Sequence, residues 1–139
     1  MVERDVVLAK VGIIDRCLQR IEDVRGARAA TLTPIDIEDI TVLNLTRAAQ
    51  AAMDLASHVV STEGYGLPTS VSESFTLLVQ HGVIPVEVAD RLRKMVGFRN
   101  IVIHDYQPID PKIVERIVQT RLDDLRAFAA TVAGWSGIA

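Results

Sequence analysis

Residues able to do chemistry concentrate in one segment, Phe98-Arg99-Asn100-Ile101-Val102-Ile103-His104-Asp105-Tyr106, where polar side chains crowd the end of an apolar helical stretch. On a helix turning about 100° per residue, Arg99, Asn100 and His104 fall within an arc of about 140°, with Phe98, Ile101 and Val102 expected on the opposite, core side. Tyr106 follows Arg99 by seven residues, so it stands nearly above it at the rim. A guanidinium can hold a phosphate at two points and stabilise charge on its oxygens, and an imidazole moves protons near neutral pH. Together they suit cleavage of RNA by its own 2′-hydroxyl, a reaction that needs no metal. That reaction wants both a base and an acid, yet the segment holds one histidine. A two-fold dimer supplies the second and gathers Arg99 and His104 of both subunits in one cleft. By spacing alone, an Arg and a His five apart can equally be a surface pair with the Arg in a salt bridge. Tyr106 alone can be a boundary aromatic with its hydroxyl in water.

The elements that must position this segment are helices. Val7, Ile14, Leu18 and Ile21 recur at helical spacing from about Arg4 to Arg25, and Gly26 marks the stop. After a short loop, Thr33-Pro34 reads as a cap followed by proline at the first helical position, opening a long helix to about Thr62. Ser70 and Glu73 form a capping box for a short helix closing at His81-Gly82. Pro85 opens the motif helix, which is expected to reach about Tyr106, and Asp110-Pro111 caps a last helix to about Gly134. The expected fold is all-α: an up-and-down four-helix bundle with an additional short helix, residues 1–139 forming a single domain.

Composition narrows the function classes. The 139 residues carry a net charge of −3, which argues against a broad basic surface for duplex nucleic acid but leaves room for a local site. Twelve of the 15 basic residues are Arg. Cys17 is the only cysteine, so no intrachain disulfide and no cysteine-built zinc site is expected. The start lacks a basic segment leading into an apolar one, and no apolar run approaches the roughly 18 residues of a membrane span. A cytoplasmic protein without cofactor and without membrane contact is expected.

The segment resembles the Arg-x4-His-x-Tyr motif of the HepT-like toxins of HEPN/MNT toxin-antitoxin systems, as Arg99, then Asn100 to Ile103, then His104-Asp105-Tyr106. Ser74-Phe75-Thr76-Leu77-Leu78, Lys94-Met95-Val96-Gly97-Phe98 and a long second helix carrying Asp54 and His58 are also similar to that family, so the resemblance covers nearly the whole chain. It implies an HEPN-like bundle in which Arg99 and His104 are the ribonuclease residues, Asn100 supports them, and the cleft lies between two protomers. It also implies that Tyr106 accepts AMP from an MNT-type nucleotidyltransferase antitoxin, which blocks the cleft. Adenylate there adds negative charge and bulk beside Arg99, where an RNA phosphate should bind.

Asn44, Arg47, Asp54 and His58 share one face of the second helix. They could face the motif helix and orient Arg99 or His104, or form a satisfied network or an Asp54–His58 pair of their own. His81 is expected to cap its helix, Cys17 to lie in the core, and Trp135 to cover either a core edge or a partner surface. Two other functions compete with the ribonuclease. One is a non-catalytic nucleotide- or phosphate-binding partner of a nucleotidyltransferase; the other is a structural helical partner in which the polar segment serves as dimer glue. A pure phosphate grip gains more from another Arg or Lys than from a mostly neutral imidazole, so His104 counts against the first.

Overall fold

The computed structural model describes residues 2–104 and 110–137, the side chain of residue 104 excepted, and all its regular elements are helices. They are α1 (Arg4–Arg25), α2 (Pro34–Glu63), the short α3 (Val71–Gln80), α4 (Val86–His104) and α5 (Pro111–Trp135). The expected loop after α1 contains one 3-10 turn, Ala29–Thr31. This is the up-and-down four-helix bundle with an extra short helix between its second and third long members.

Local chemistry sets the ends. The Thr33 side chain accepts from the Asp36 amide (3.1 Å) ahead of Pro34, and the Asp110 side chain accepts from the Lys112 amide (2.9 Å) ahead of Pro111. Gly64, at φ 69°, closes α2: its amide bonds to the Ser61 carbonyl and the Tyr65 amide to the Val60 carbonyl, two of the carbonyls a helix end leaves without partners. The capping box of α3 forms with a shifted return arm. Ser70 Oγ accepts from the Glu73 amide (3.1 Å), but the Glu73 carboxylate reaches the amide (3.2 Å) and hydroxyl (2.6 Å) of Thr69. Those two bonds hold the Glu73 carboxyl below the usual carboxylate range.

All five helices feed one apolar core, and α2 touches each of the others. Ile14, Leu18 and Ile21 of α1 meet Ala48, Ala52, Ala56, Leu45 and Leu55 of α2, where the small residues let the helix axes approach. Phe75 from α3 meets Phe128 from α5 edge to face at 5.9 Å, and Leu92, Met95 and Phe98 bring α4 into the same cluster. The two last helices are also tied by Asp124, 6% exposed, which faces Arg91 at 3.5 Å and Arg121 at 3.4 Å. Cys17 is buried as expected, and burial pushes its thiol up from the ordinary value. Trp135 is half-buried against the core edge. Among the described residues no helix is long and apolar enough to cross a membrane.

Removing the Phe128 ring from this junction should cost about 3–5 kcal/mol, and Thr33→Ala about 1 kcal/mol. Urea denaturation followed by circular dichroism checks both; equal losses for the two variants would contradict the core assignment.

Candidate active site at the end of the fourth helix

The burial pattern of α4 fixes which way its polar residues face. Leu92, Met95 and Phe98 are buried and Val102 is half-buried, so these four mark the core side. By helical register Arg99 stands at the edge of that side, which explains why its stem is half-buried. Asn100 stands farther round and is exposed, and position 104 shares the face of Asn100. The expectation that Ile101 joins Phe98 and Val102 in the core is not met. Ile101 is 56% exposed and Ile103 is 43% exposed, because only a narrow stripe of α4 meets α2 and α5 and Ile101 falls outside it.

Arg99 Nη1 donates to Asn100 Oδ1 at 3.0 Å. Its Nε is buried and has no hydrogen-bond partner. Among the described residues no carboxylate lies within ion-pair distance of Arg99, whereas Arg25, Arg91, Arg93, Arg121 and Arg126 each face one. The site therefore contains a partly desolvated guanidinium aligned by an amide and not neutralised by any of the described residues, an arrangement suited to an anion with acceptor oxygens. The backbone of His104 ends α4, and Asp105 and Tyr106 lie outside the described residues.

Of the two readings of the polar stripe of α2, the contacts favour a network of its own over one that faces the motif helix. Asp54 accepts from Lys10 Nζ (3.2 Å) of α1 and from Gln50 Nε2 (2.8 Å), while His58 Nε2 accepts from the Glu3 amide (3.1 Å) at the start of α1. Arg47 lines a surface hollow with Lys10, Ile13 and Asp54, and Asn44 donates to the Ile40 carbonyl (2.8 Å) of its own helix. Asp54, His58 and Arg47 thus belong to the α1–α2 seam within the protomer, and Asp54 and His58 each take a partner other than the other. Spacings of 4 and 7 put residues on one face, but which helix covers that face is a matter of packing order. The geometry supports a network within that seam, in which Gln50 Oε1 is left buried without a partner.

His81 behaves as a helix-end residue: its Nδ1 lies 2.9 Å from the Leu77 carbonyl and its ring stacks on Tyr65 at 3.9 Å. One residue beside the site was not picked out from the sequence. Arg93 donates through Nε to Ser72 Oγ (3.0 Å), through Nη2 to Thr76 Oγ1 (2.6 Å) and through Nη1 to Asp90 (2.9 Å), joining α4 to α3. Its place seven residues before Asn100 was a usable signal, since that spacing sets both on one face; its partners on α3 were not.

Comparison with known proteins agrees with this architecture. The family model described as Ribonuclease HepT-like matches residues 14–132. The chain is 39% identical over 124 residues to the mRNA nuclease HepT of Shewanella oneidensis, covering 89% of this chain and 93% of that protein. It is 25% identical over 114 residues to the tRNA nuclease HepT of Aphanizomenon flos-aquae, covering 81% and 78%. A solved structure of the tri-AMPylated Shewanella oneidensis HEPN toxin in complex with MNT antitoxin superposes with a TM-score of 0.84 at 36% identity, covering 95% of this chain and 99% of that one. With the family model spanning most of its length and all five helices in place, the chain belongs to the ribonuclease HepT-like family.

Proposed function

We propose that this chain is a metal-independent endoribonuclease toxin that works as a homodimer through Arg99 and His104 and is neutralised by AMP transfer to Tyr106 from an MNT-type nucleotidyltransferase antitoxin. The observation that carries the reading is the half-buried Arg99 guanidinium, aligned by Asn100 and facing no carboxylate among the described residues. Relatives named as mRNA and tRNA nucleases support the activity, and the AMP-modified toxin bound to MNT antitoxin supports the partner and the modification. Residues 1–139 act as one HEPN-like domain in the cytoplasm on this reading.

The chemistry follows from the residue types. One His104 takes the proton of the 2′-hydroxyl as that oxygen bonds to phosphorus; the bond from phosphorus to the 5′-oxygen breaks, and the second His104 protonates the leaving oxygen. The products are a 2′,3′-cyclic phosphate and a 5′-hydroxyl. Arg99 stabilises the charge gathering on the non-bridging oxygens, and Asn100 keeps the guanidinium oriented. Adenylate on Tyr106 places a competing phosphate at the rim of the same cleft. Ile101 and Ile103 on α4 and Ile113 at the start of α5, all well exposed, supply apolar surface for the subunit seam.

Purified dimer should cleave RNA in EDTA, with Arg99→Ala lowering kcat/KM about 10²–10³-fold and His104→Ala about 10²–10⁴-fold. Cleavage undiminished in both variants would falsify the enzyme reading, and tight ATP binding without RNA cleavage would favour a nucleotide-binding partner instead. Incubation with antitoxin and ATP should add AMP to the wild type and none to Tyr106→Phe, as read by intact mass; addition elsewhere contradicts the acceptor. Ile101→Lys should shift sedimentation equilibrium toward monomer and reduce cleavage in step, and a monomer of full activity would exclude the shared cleft.

A further inference from the structure

Between α3 and α4 lies a crevice of about 210 Å³, lined by Ser72, Phe75, Arg93, Val96, Gly97 and Asn100. Gly97 is the unexplained member. It sits inside α4 with ordinary helical backbone, and a Cβ added there meets nothing within 4 Å. Glycine inside a helix costs about 1 kcal/mol relative to alanine, and within the protomer neither backbone conformation nor packing requires it. The bare backbone there allows a close approach to the helix from outside.

The other linings indicate what approaches. Arg93 is held through its in-plane N–H groups by Ser72, Thr76 and Asp90, so its flat face is the part left for a ligand. Asn100 uses Oδ1 for Arg99, which leaves its two amide donors without a partner among the described residues. Phe75, locked against Phe128, gives a rigid floor. Arg93, Gly97, Asn100 and position 104 lie along one face of α4, with Asn100 about 6 Å and Gly97 about 10 Å along the axis from position 104. A crevice with a guanidinium face, free amide donors and a bare stretch of helix fits a flat heterocycle bearing acceptors better than an apolar helix of a second copy.

We propose that this crevice is a base subsite: an unpaired nucleobase of the RNA, next to the scissile phosphate, stacks on the Arg93 guanidinium with Asn100 donating to its edge, and Gly97 admits it against the helix. The placement beside the cut rests on the ribonuclease reading; the binding of a nucleotide here does not. Arg93 and Gly97 are then the residues that set base preference.

The test is a ¹⁵N NMR titration of the dimer with AMP, GMP, CMP and UMP in turn, repeated on Gly97→Leu and Arg93→Lys. Saturable shifts at Ser72, Thr76, Val96 and Gly97 are expected with at least one nucleotide, weakened at least tenfold by either substitution in protein that keeps a cooperative melt. Arg93→Lys retains the charge and loses the flat face, so it decides the matter if Gly97→Leu does not fold. Sequencing the cut ends of a random oligoribonucleotide should show a base preference beside the cut that both variants flatten. No shifts in the crevice, or binding equal in wild type and a folded variant, overturns the subsite. A Gly97→Leu effect confined to sedimentation assigns the glycine to a subunit contact and overturns it as well. Crevice binding in a protein that cuts no RNA refutes the ribonuclease reading and leaves the nucleotide site standing.

Discussion

Arg99 is held on the same helix whose Leu92, Met95 and Phe98 fill one side of the core, and this joining of a charge to a packing surface constrains everything around it. A guanidinium fully in water would be mobile and screened; one fully inside would need a carboxylate. At the edge of the apolar stripe its stem is sheltered and its Nε is out of solvent, while Nη1 is aligned by the adjacent Asn100. Orientation is thus provided by packing, and among the described residues no carboxylate pairs with the charge. α4 can do this only while its other neighbours are rigid, which is the part played by the Phe75–Phe128 contact, the Asp124 link to α5 and the Arg93 link to α3.

The polar residues of the chain divide by the same logic into those already occupied and those still open. On the α1–α2 seam, Lys10, Asp54 and Gln50 bond one another, and His58 caps the incoming chain at Glu3. Asp54 and the His58 ring nitrogen have thus taken partners within the fold, while Gln50 keeps a buried Oε1 without one. On α4, Arg93 has spent its edge but keeps its face, Asn100 has spent its carbonyl oxygen but keeps its donors, and Arg99 faces no acid among the described residues. Residue type does not separate the two groups; what each side chain has left after folding does.

Much of the fold was legible because its signals are local. Thr33-Pro34, Asp110-Pro111, Ser70 with Glu73, and Gly64 each act within a few residues, and the helix ends they mark fall at or within a residue or two of the sequence expectation wherever the structure describes them. What was not legible is what packs on what. Spacing puts Arg47, Asp54 and His58 on one face and leaves open what covers it, since periodicity carries no information about the neighbour; the contacts there come from α1. Helical angle sets Ile101 opposite the Arg99–His104 arc and so toward the core, but the stripe of α4 that meets the bundle is narrower than that opposite side. At the candidate site, Arg99 and Asn100 stood out because polar groups interrupt an apolar run. The role of Arg93 is not legible in the sequence because most of its hydrogen bonds go to α3, about 20 residues away.

On the dimeric reading proposed above, the exposed isoleucines link the site to the subunit seam. Ile101 and Ile103 flank the polar face of α4, and Ile113 begins the next helix. Apolar side chains in that position raise the free energy of a lone protomer in water and lower it when a second copy covers them. On the reading proposed above, each chain also brings a single imidazole to a reaction that uses two. Burial of the isoleucines and completion of the base and acid pair then occur in one step, so a protomer diluted below the dissociation constant of the dimer loses its catalytic pair with no change in its own fold. An acidic chain gains from this as well. With a net charge of −3 the surface as a whole repels a polyanion, and on the proposed reading two Arg99 groups in one cleft would confine the attraction for RNA to the place of cleavage.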